Sequence, residues 1–167
     1  VVIFIILPAW GVANAAATLV GQNLGAGKPD RAEKAVWITG VWNMAFMTII
    51  TVLFVVFAES IVGVFTNVPE ILAVGTAALR IISYGYVFYA WGMVVLQAFN
   101  GAGDTVTPTW VNFVAFWLIQ IPLAWFLALK TGLGHHGVYL AIAIAYSLSA
   151  VFGMILFRRG KWKEKEV

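Results

Sequence analysis

Five long apolar segments decide what this chain can fold into. They run from about Val2 to Leu24, Ala32 to Phe57, Val68 to Phe99, Pro108 to Leu129 and His136 to Phe157. Each holds roughly 20 residues or more, and a helix of that length crosses about 30 Å of hydrocarbon. Strands do not fit, because the runs are too long and lack alternating polarity. Helices do fit, because they satisfy their own backbone where lipid offers no partner. Of the 167 residues 62% are hydrophobic and only 10% charged, with mean hydropathy +0.94. A soluble domain of this size cannot hide so much apolar surface, so lipid must be the main solvent. The expected fold is therefore all-α, a polytopic integral membrane bundle with five transmembrane helices in residues 1–157. A basic tail follows at 158–167.

Local signals refine the ends. Pro8 predicts a kink in the first helix. Asp30 and Glu33 have capping-box spacing at the start of the second, as do Asn67 and Glu70 before the third. Thr107 is the expected cap of the fourth, with Pro108 at its first turn. The third segment exceeds one span. Counting about 20 residues back from Phe99 reaches Arg80, which would snorkel at the far interface and leave 68–79 beside or above the bilayer.

Charge sets the expected orientation. Lys28, Arg31, Lys34, Arg158, Arg159, Lys161, Lys163 and Lys165 fall on one side, and only Arg80 and Lys130 on the other. The positive-inside rule puts the 25–34 loop, the 100–107 loop and the tail in the cytoplasm of a plasma (inner) membrane protein. These clusters suit a membrane face rather than a nucleic-acid site. Ala13-Asn14-Ala15 mimics a signal-peptidase site, but no positive n-region precedes it. The first residue is not Met, and the chain is expected to begin inside a larger protein.

Two helices carry ridges of small residues at every fourth position: Ala9, Ala13, Ala17, Gly21, Gly25 and Gly137, Ala141, Ala145, Ser149, Gly153. Such ridges let helix backbones approach closely in lipid. Beside the first ridge lie Asn14, Thr18 and Gln22, while Asn112 and Gln120 share a face of the fourth helix with Phe116. Asn43 is a further polar residue in the second. Intramembrane amides rarely face lipid, so these either bond between helices or line a wet cavity. Tyr84, Tyr86, Phe88, Tyr89 and Trp91 cluster in the third helix, where aromatic faces either pack or stack on a flat organic cation. His135 and His136 read as a solvated outer loop.

There is no cysteine, and no phosphate loop, nucleophile elbow or metal-ligand spacing. The chain reads as a non-enzyme, with no catalytic residue, metal site or cofactor.

Two glycine-rich loops are more specific. Leu19-Val20-Gly21-Gln22-Asn23-Leu24-Gly25-Ala26-Gly27 precedes Arg31-Ala32. Gln97-Ala98-Phe99-Asn100-Gly101-Ala102-Gly103-Asp104-Thr105 precedes Thr107-Pro108. In this order, within a five-helix array, they resemble the second half of a multidrug and toxic compound extrusion (MATE) transporter. The first resembles the motif ending the eighth of that family's twelve helices, and the second the motif between the tenth and eleventh. Leu79-Arg80-Ile81 also fits the tenth helix. The motif positions are Gly21, Gln22, Gly25, Gly27, Gly101, Gly103, Asp104 and Pro108.

The resemblance implies helices eight to twelve of two pseudosymmetric six-helix bundles around a central cavity. It implies export of small amphipathic drugs or organic cations in exchange for Na⁺ or H⁺, by alternating access. Candidate cavity residues are Asn14, Thr18, Gln22, Asn43, Tyr84, Tyr89, Trp91, Asn112 and Gln120. The implied partners are the bilayer and the missing N-terminal helices. Some branches of the family place a cation-binding acid on the helix matching residues 80–99, but that stretch has no carboxylate here. The coupling site is therefore expected in the missing N-terminal part.

Two alternatives stand beside this reading. A lipid-linked oligosaccharide flippase of the same superfamily would need a cationic cavity for pyrophosphate, and the membrane interior holds no Lys or Arg except the interfacial Arg80. An inactive truncated membrane fragment would insert without a partner lobe.

Overall fold

The computed structural model describes the backbone of residues 2–164 and the side chains of 6–163. Lys165, counted above with the basic tail, lies outside the described residues. The chain is helical almost throughout, and no strand occurs among the described residues. Helix α1 spans Val2–Gly25, α2 Pro29–Gly63, α3 Pro69–Ser83 and α4 Tyr86–Gly101. A longer rod follows, made of α5 (Val106–Asn112), a π-helical stretch (Phe113–Gln120) and α6 (Ile121–Leu129). Helix α7 covers His135–Arg158, and a 3-10 turn, Lys161–Glu164, comes after it.

Helix α2, the rod and α7 are each long and apolar enough to cross a membrane. Helices α3 and α4 qualify together as a bent pair. Helix α1, with 24 residues, is the remaining one of the five expected spans. Their outer faces carry large exposed apolar side chains such as Trp42, Val56, Trp110 and Trp117, as a lipid-facing surface requires.

The third expected helix is not one rod. It breaks at Tyr84-Gly85, and the two halves meet at 50°. Packing accounts for the break. A Cβ on Gly85 would stand 3.0 Å from the Ala143 Cα, so only glycine lets the chain press this closely on α7. A backbone carbonyl at the break is also recovered: the Thr51 hydroxyl is 3.0 Å from the Ser83 carbonyl oxygen and 2.8 Å from that of Met47. Helix α2 runs past its expected end and is distorted at Phe57 (φ −101°, ψ 17°). Two residues earlier, the Val55 carbonyl accepts from the Nε of the exposed Arg80 at 3.1 Å.

Three expected caps are not made as written. Helix α2 starts with Pro29 after Lys28, with no side-chain cap; Pro29 fixes the first turn, and the acids beside it serve the tail instead. Helix α3 likewise starts with Pro69 after Val68, whose N–H donates to the Thr66 hydroxyl at 3.2 Å. Helix α5 follows Thr105, and its first turn is held by Asp104 rather than capped by Thr107. The Asp104 Oδ1 accepts the Thr107 N–H at 3.1 Å and its Oδ2 the Thr107 hydroxyl at 2.8 Å. Helix α1 continues through Pro8 without interruption. The π-helical stretch had no foreseen counterpart. It ends just before Pro122, which has no N–H to offer the Leu118 carbonyl.

Helix α4 is the core element, packed against α1, α2 and α7, and the rod packs mainly on α7 while its first part, α5, also reaches α4. Small residues make those contacts possible. The α7 ridge is buried along its length, from Gly137 through Ala141, Ala145 and Ser149 to Gly153. On α1, Ala9 and Ala13 are fully buried, and the Gly101 backbone of α4 presses on Ala17 and Gly21. Dispersion between closely fitted backbones is the main attraction available in lipid.

Candidate substrate cavity

One face of α4 is polar. Gln97 and Asn100 lie one turn apart on it, continuing the line Tyr89, Met93. With Trp10 of α1 and Pro108 and Asn112 of α5, this face encloses an open cavity of about 230 Å³. Helices α1 and α5 both contact α4, and the space between them is left unfilled.

Three amides form a chain along its wall. The Asn100 Nδ2 donates to the Gln97 Oε1 at 2.5 Å, and the Gln97 Nε2 donates to the Asn14 Oδ1 at 2.5 Å. The second bond ties α4 to α1. Each amide has more capacity than this chain uses, so the Asn14 amide hydrogens and the Asn100 carbonyl oxygen remain for another polar partner. Aromatic rings continue the wall away from the amides. Tyr89 stacks on Tyr146 of α7 at 4.3 Å between centroids, and Phe116 meets Tyr146 edge-on at 5.9 Å.

Of the residues singled out from the sequence, Tyr89 and Asn112 line this cavity and Asn14 joins it through Gln97. The others do not line it. Thr18 bonds its hydroxyl to the Asn14 carbonyl at 3.2 Å, and Gln22 is exposed toward the end of α1. Gln120 is half-buried two turns beyond Asn112. Asn43 is fully buried and donates to the Ala90 carbonyl at 2.9 Å, so it joins α2 to α4. Trp91 lies across α4 from Tyr89, because two residues turn a helix by about 200°. Its ring contacts Trp37 of α2 at 5.1 Å. Tyr84, 61% exposed, borders a separate groove with Leu140 and Ile144. The aromatic cluster is thus divided between opposite faces of α4.

Gln97, Asn100, Trp10 and Tyr146 were missed. The first two were legible as residues three apart on the face of Tyr89, but their place in a glycine-rich motif drew attention to the turn. The motif glycines have separate duties. Gly21 and Gly101 form the α1–α4 crossing, with 3.1 Å between a Gly21 Cβ and the Gly101 oxygen. Gly27 and Gly103 take positive φ (67° and 77°) in the turns, which a side chain would oppose. Gly25 ends α1, Asp104 holds the first turn of the next helix, and Pro108 in that turn edges the cavity.

The MatE family model matches residues 1–126. A probable multidrug resistance protein NorM of Caulobacter vibrioides is 31% identical over 160 residues, covering 93% of this chain and 33% of that protein. A protein of the same name from Thermotoga maritima is 24% identical, covering 96% of this chain and 35% of its own length. The chain thus spans about a third of these curated relatives. An inward-facing multidrug resistance MATE family transporter of the MOP superfamily superposes with TM-score 0.89 at 21% identity, over 99% of this chain and 39% of that one. The eukaryotic MATE transporter AtDTX14 gives 0.84 at 23% identity, over 94% and 35%. Helices of spanning length, the two glycine-rich turns and the matched residues agree: this multi-pass membrane chain belongs to the MatE family.

Proposed function

We propose that this chain is part of the C-terminal lobe of a cation-coupled multidrug efflux antiporter. In this reading it exports amphipathic organic cations by alternating access, and the amide-lined cavity is its lobe's share of the substrate path. The observation that carries the proposal is the junction of α1, α4 and α5, where Asn14, Gln97, Asn100 and Asn112 meet Tyr89. Amides placed inside a membrane with unused hydrogen-bonding capacity favour a polar or hydrated guest. The aromatic wall suits its flat or charged part. The similarity to proteins named for multidrug resistance supports the same reading.

The cavity lining contains no carboxylate, lysine or arginine. The coupling ion, Na⁺ or H⁺, is accordingly assigned to a site on helices outside this chain. The neutral wall also disfavours a pyrophosphate-bearing lipid as cargo. The 25–34 loop and the tail are assigned to the cytoplasmic side of the plasma membrane by their basic residues, and the 100–107 loop joins them by the alternation of the spans.

The test uses the full-length transporter carrying these helices, in cells challenged with a panel of organic cations. Gln97→Ala removes two of the wall's hydrogen bonds and should change resistance about fivefold or more for some compounds, at unchanged membrane yield. Unaltered resistance to the whole panel in both Gln97→Ala and Asn112→Ala would sink the assignment. Expression without the preceding helices separates this reading from an inert fragment, because only the complete protein should confer resistance.

A further inference from the structure

On the face of α4 opposite the amides, α2 and α7 splay apart and leave a long groove of about 550 Å³. Trp37 and Met44 of α2 form one wall, Val151 and Met154 of α7 the other, and Trp91 of α4 the floor. The lining is apolar except at one end, where Arg158, the last residue of α7, borders the groove. Its guanidinium lies 5.9 Å from the centre of the Trp37 ring.

Arg158 has no carboxylate partner among the described ion pairs. The nearby acids Asp30 and Glu33 both pair with Lys163, and Glu33 also accepts the Trp37 indole N–H at 3.3 Å. A cation at a helix C-terminus is favoured by the helix dipole alone, but that does not account for the apolar trough beneath it. An apolar channel running to one uncompensated cation matches an amphiphile with an anionic head.

We propose that this groove is a binding site for an anionic membrane phospholipid, with one acyl chain along the trough and the phosphate on Arg158. The physics assigns selectivity to the head. An acyl chain that leaves bulk lipid for the groove gains no transfer energy, because both surroundings are apolar. Arg158 supplies a forked, charge-assisted contact to phosphate that bulk lipid does not.

The experiment is a titration of the delipidated full-length protein in detergent, followed by native mass spectrometry. One probe is phosphatidylglycerol, and the other is diacylglycerol with the same chains and no phosphate. Phosphatidylglycerol should bind at least tenfold more tightly. Arg158→Gln should erase that difference while leaving diacylglycerol binding intact, and Arg159→Gln should preserve it. Val151→Trp, at a half-exposed position, fills the trough and should weaken both lipids. Undiminished discrimination in Arg158→Gln overturns the head-group contact, and full binding of both lipids to Val151→Trp overturns the groove. Arg158 is exposed, so its substitution tests the proposal even if the tryptophan variant fails to fold.

Discussion

Replacing Gly101 with alanine places a methyl group 2.2 Å from the Ala17 carbonyl oxygen and 2.8 Å from that residue's carbonyl carbon and Cα. All three atoms are backbone, so no rotamer change relieves the clash. Helices α1 and α4 must part by about 1 Å to restore ordinary van der Waals distance. One turn away, the Gln97–Asn14 bond of 2.5 Å would stretch toward the roughly 3.5 Å at which a hydrogen bond is lost. Overpacking of this kind costs about 1–3 kcal/mol. The lost interhelical bond adds about 0.6 kcal/mol. Alanine returns about 0.5–1 kcal/mol through helix propensity. The net expectation is about 1–3 kcal/mol of destabilisation, with altered resistance through the disturbed amides. Gly25→Ala is the control, because nothing lies within 4 Å of its added methyl. Thermal unfolding of the full-length protein in detergent, followed by tryptophan fluorescence, reads both. If Gly101→Ala unfolds at the wild-type temperature, or Gly25→Ala loses as much, the close crossing of α1 and α4 is wrong.

Three further outcomes concern the end of the bundle that carries the basic tail. Trp162→Ala removes a buried ring stacked 4.7 Å from Phe157 and an indole N–H bonded to the Phe157 carbonyl at 3.0 Å. It should cost about 3 kcal/mol locally and expose Lys161 and Lys163 to trypsin. Asp104→Ala deletes two hydrogen bonds at the start of α5 and should cost about 1 kcal/mol, seen as faster amide exchange at Thr107. Lys163 is held above its ordinary value of 10.5 by the Glu33 hydrogen bond, against a smaller opposing effect of burial and with help from the charges of Glu33 and Asp30. Its contribution is therefore complete below about pH 10.5 and lost as pH rises through the raised value, so Lys163→Met should remove that part of the alkaline decline in tail protection.

Much of the fold was legible because lipid leaves few solutions for long uncharged segments. Segment ends fell within a few residues for α1, the rod and α7; the α7 ridge marked its buried face throughout, whereas on α1 the ridge is buried at Ala9 and Ala13 and runs out to the exposed Gly25. What escaped were effects that depend on neighbours. A glycine at 85 does not by itself announce a bend; its close seat on Ala143 belongs to a distant helix. Capping-box spacing at Asp30 and Glu33 could not foresee that Lys163, far along the chain, would claim both acids. The cavity was half legible. Residue types were recognisable, but the faces of α4 were confused because the aromatic cluster was read by proximity in sequence. At 100° per residue, Tyr89 and Trp91 could not share a wall. A tail read only as a basic segment also holds Trp162, which is almost completely buried.

The break at Gly85 bears on bilayer thickness. Helix α3 has 15 residues and α4 has 16, so each is about 22–24 Å long and short of the roughly 30 Å of hydrocarbon. Neither half matches the membrane alone, whereas the bent pair together is long and apolar enough to cross it. With α4 upright and α3 inclined at 50°, the pair stands about 38 Å high, and a 10° change in the bend alters that height by about 3 Å. Such a change equals the difference in thickness between common membranes. With Arg80 bonded to Val55 and Gly85 seated on Ala143, the last turn of α3 and the break after it are both anchored, which opposes such a change in the bend.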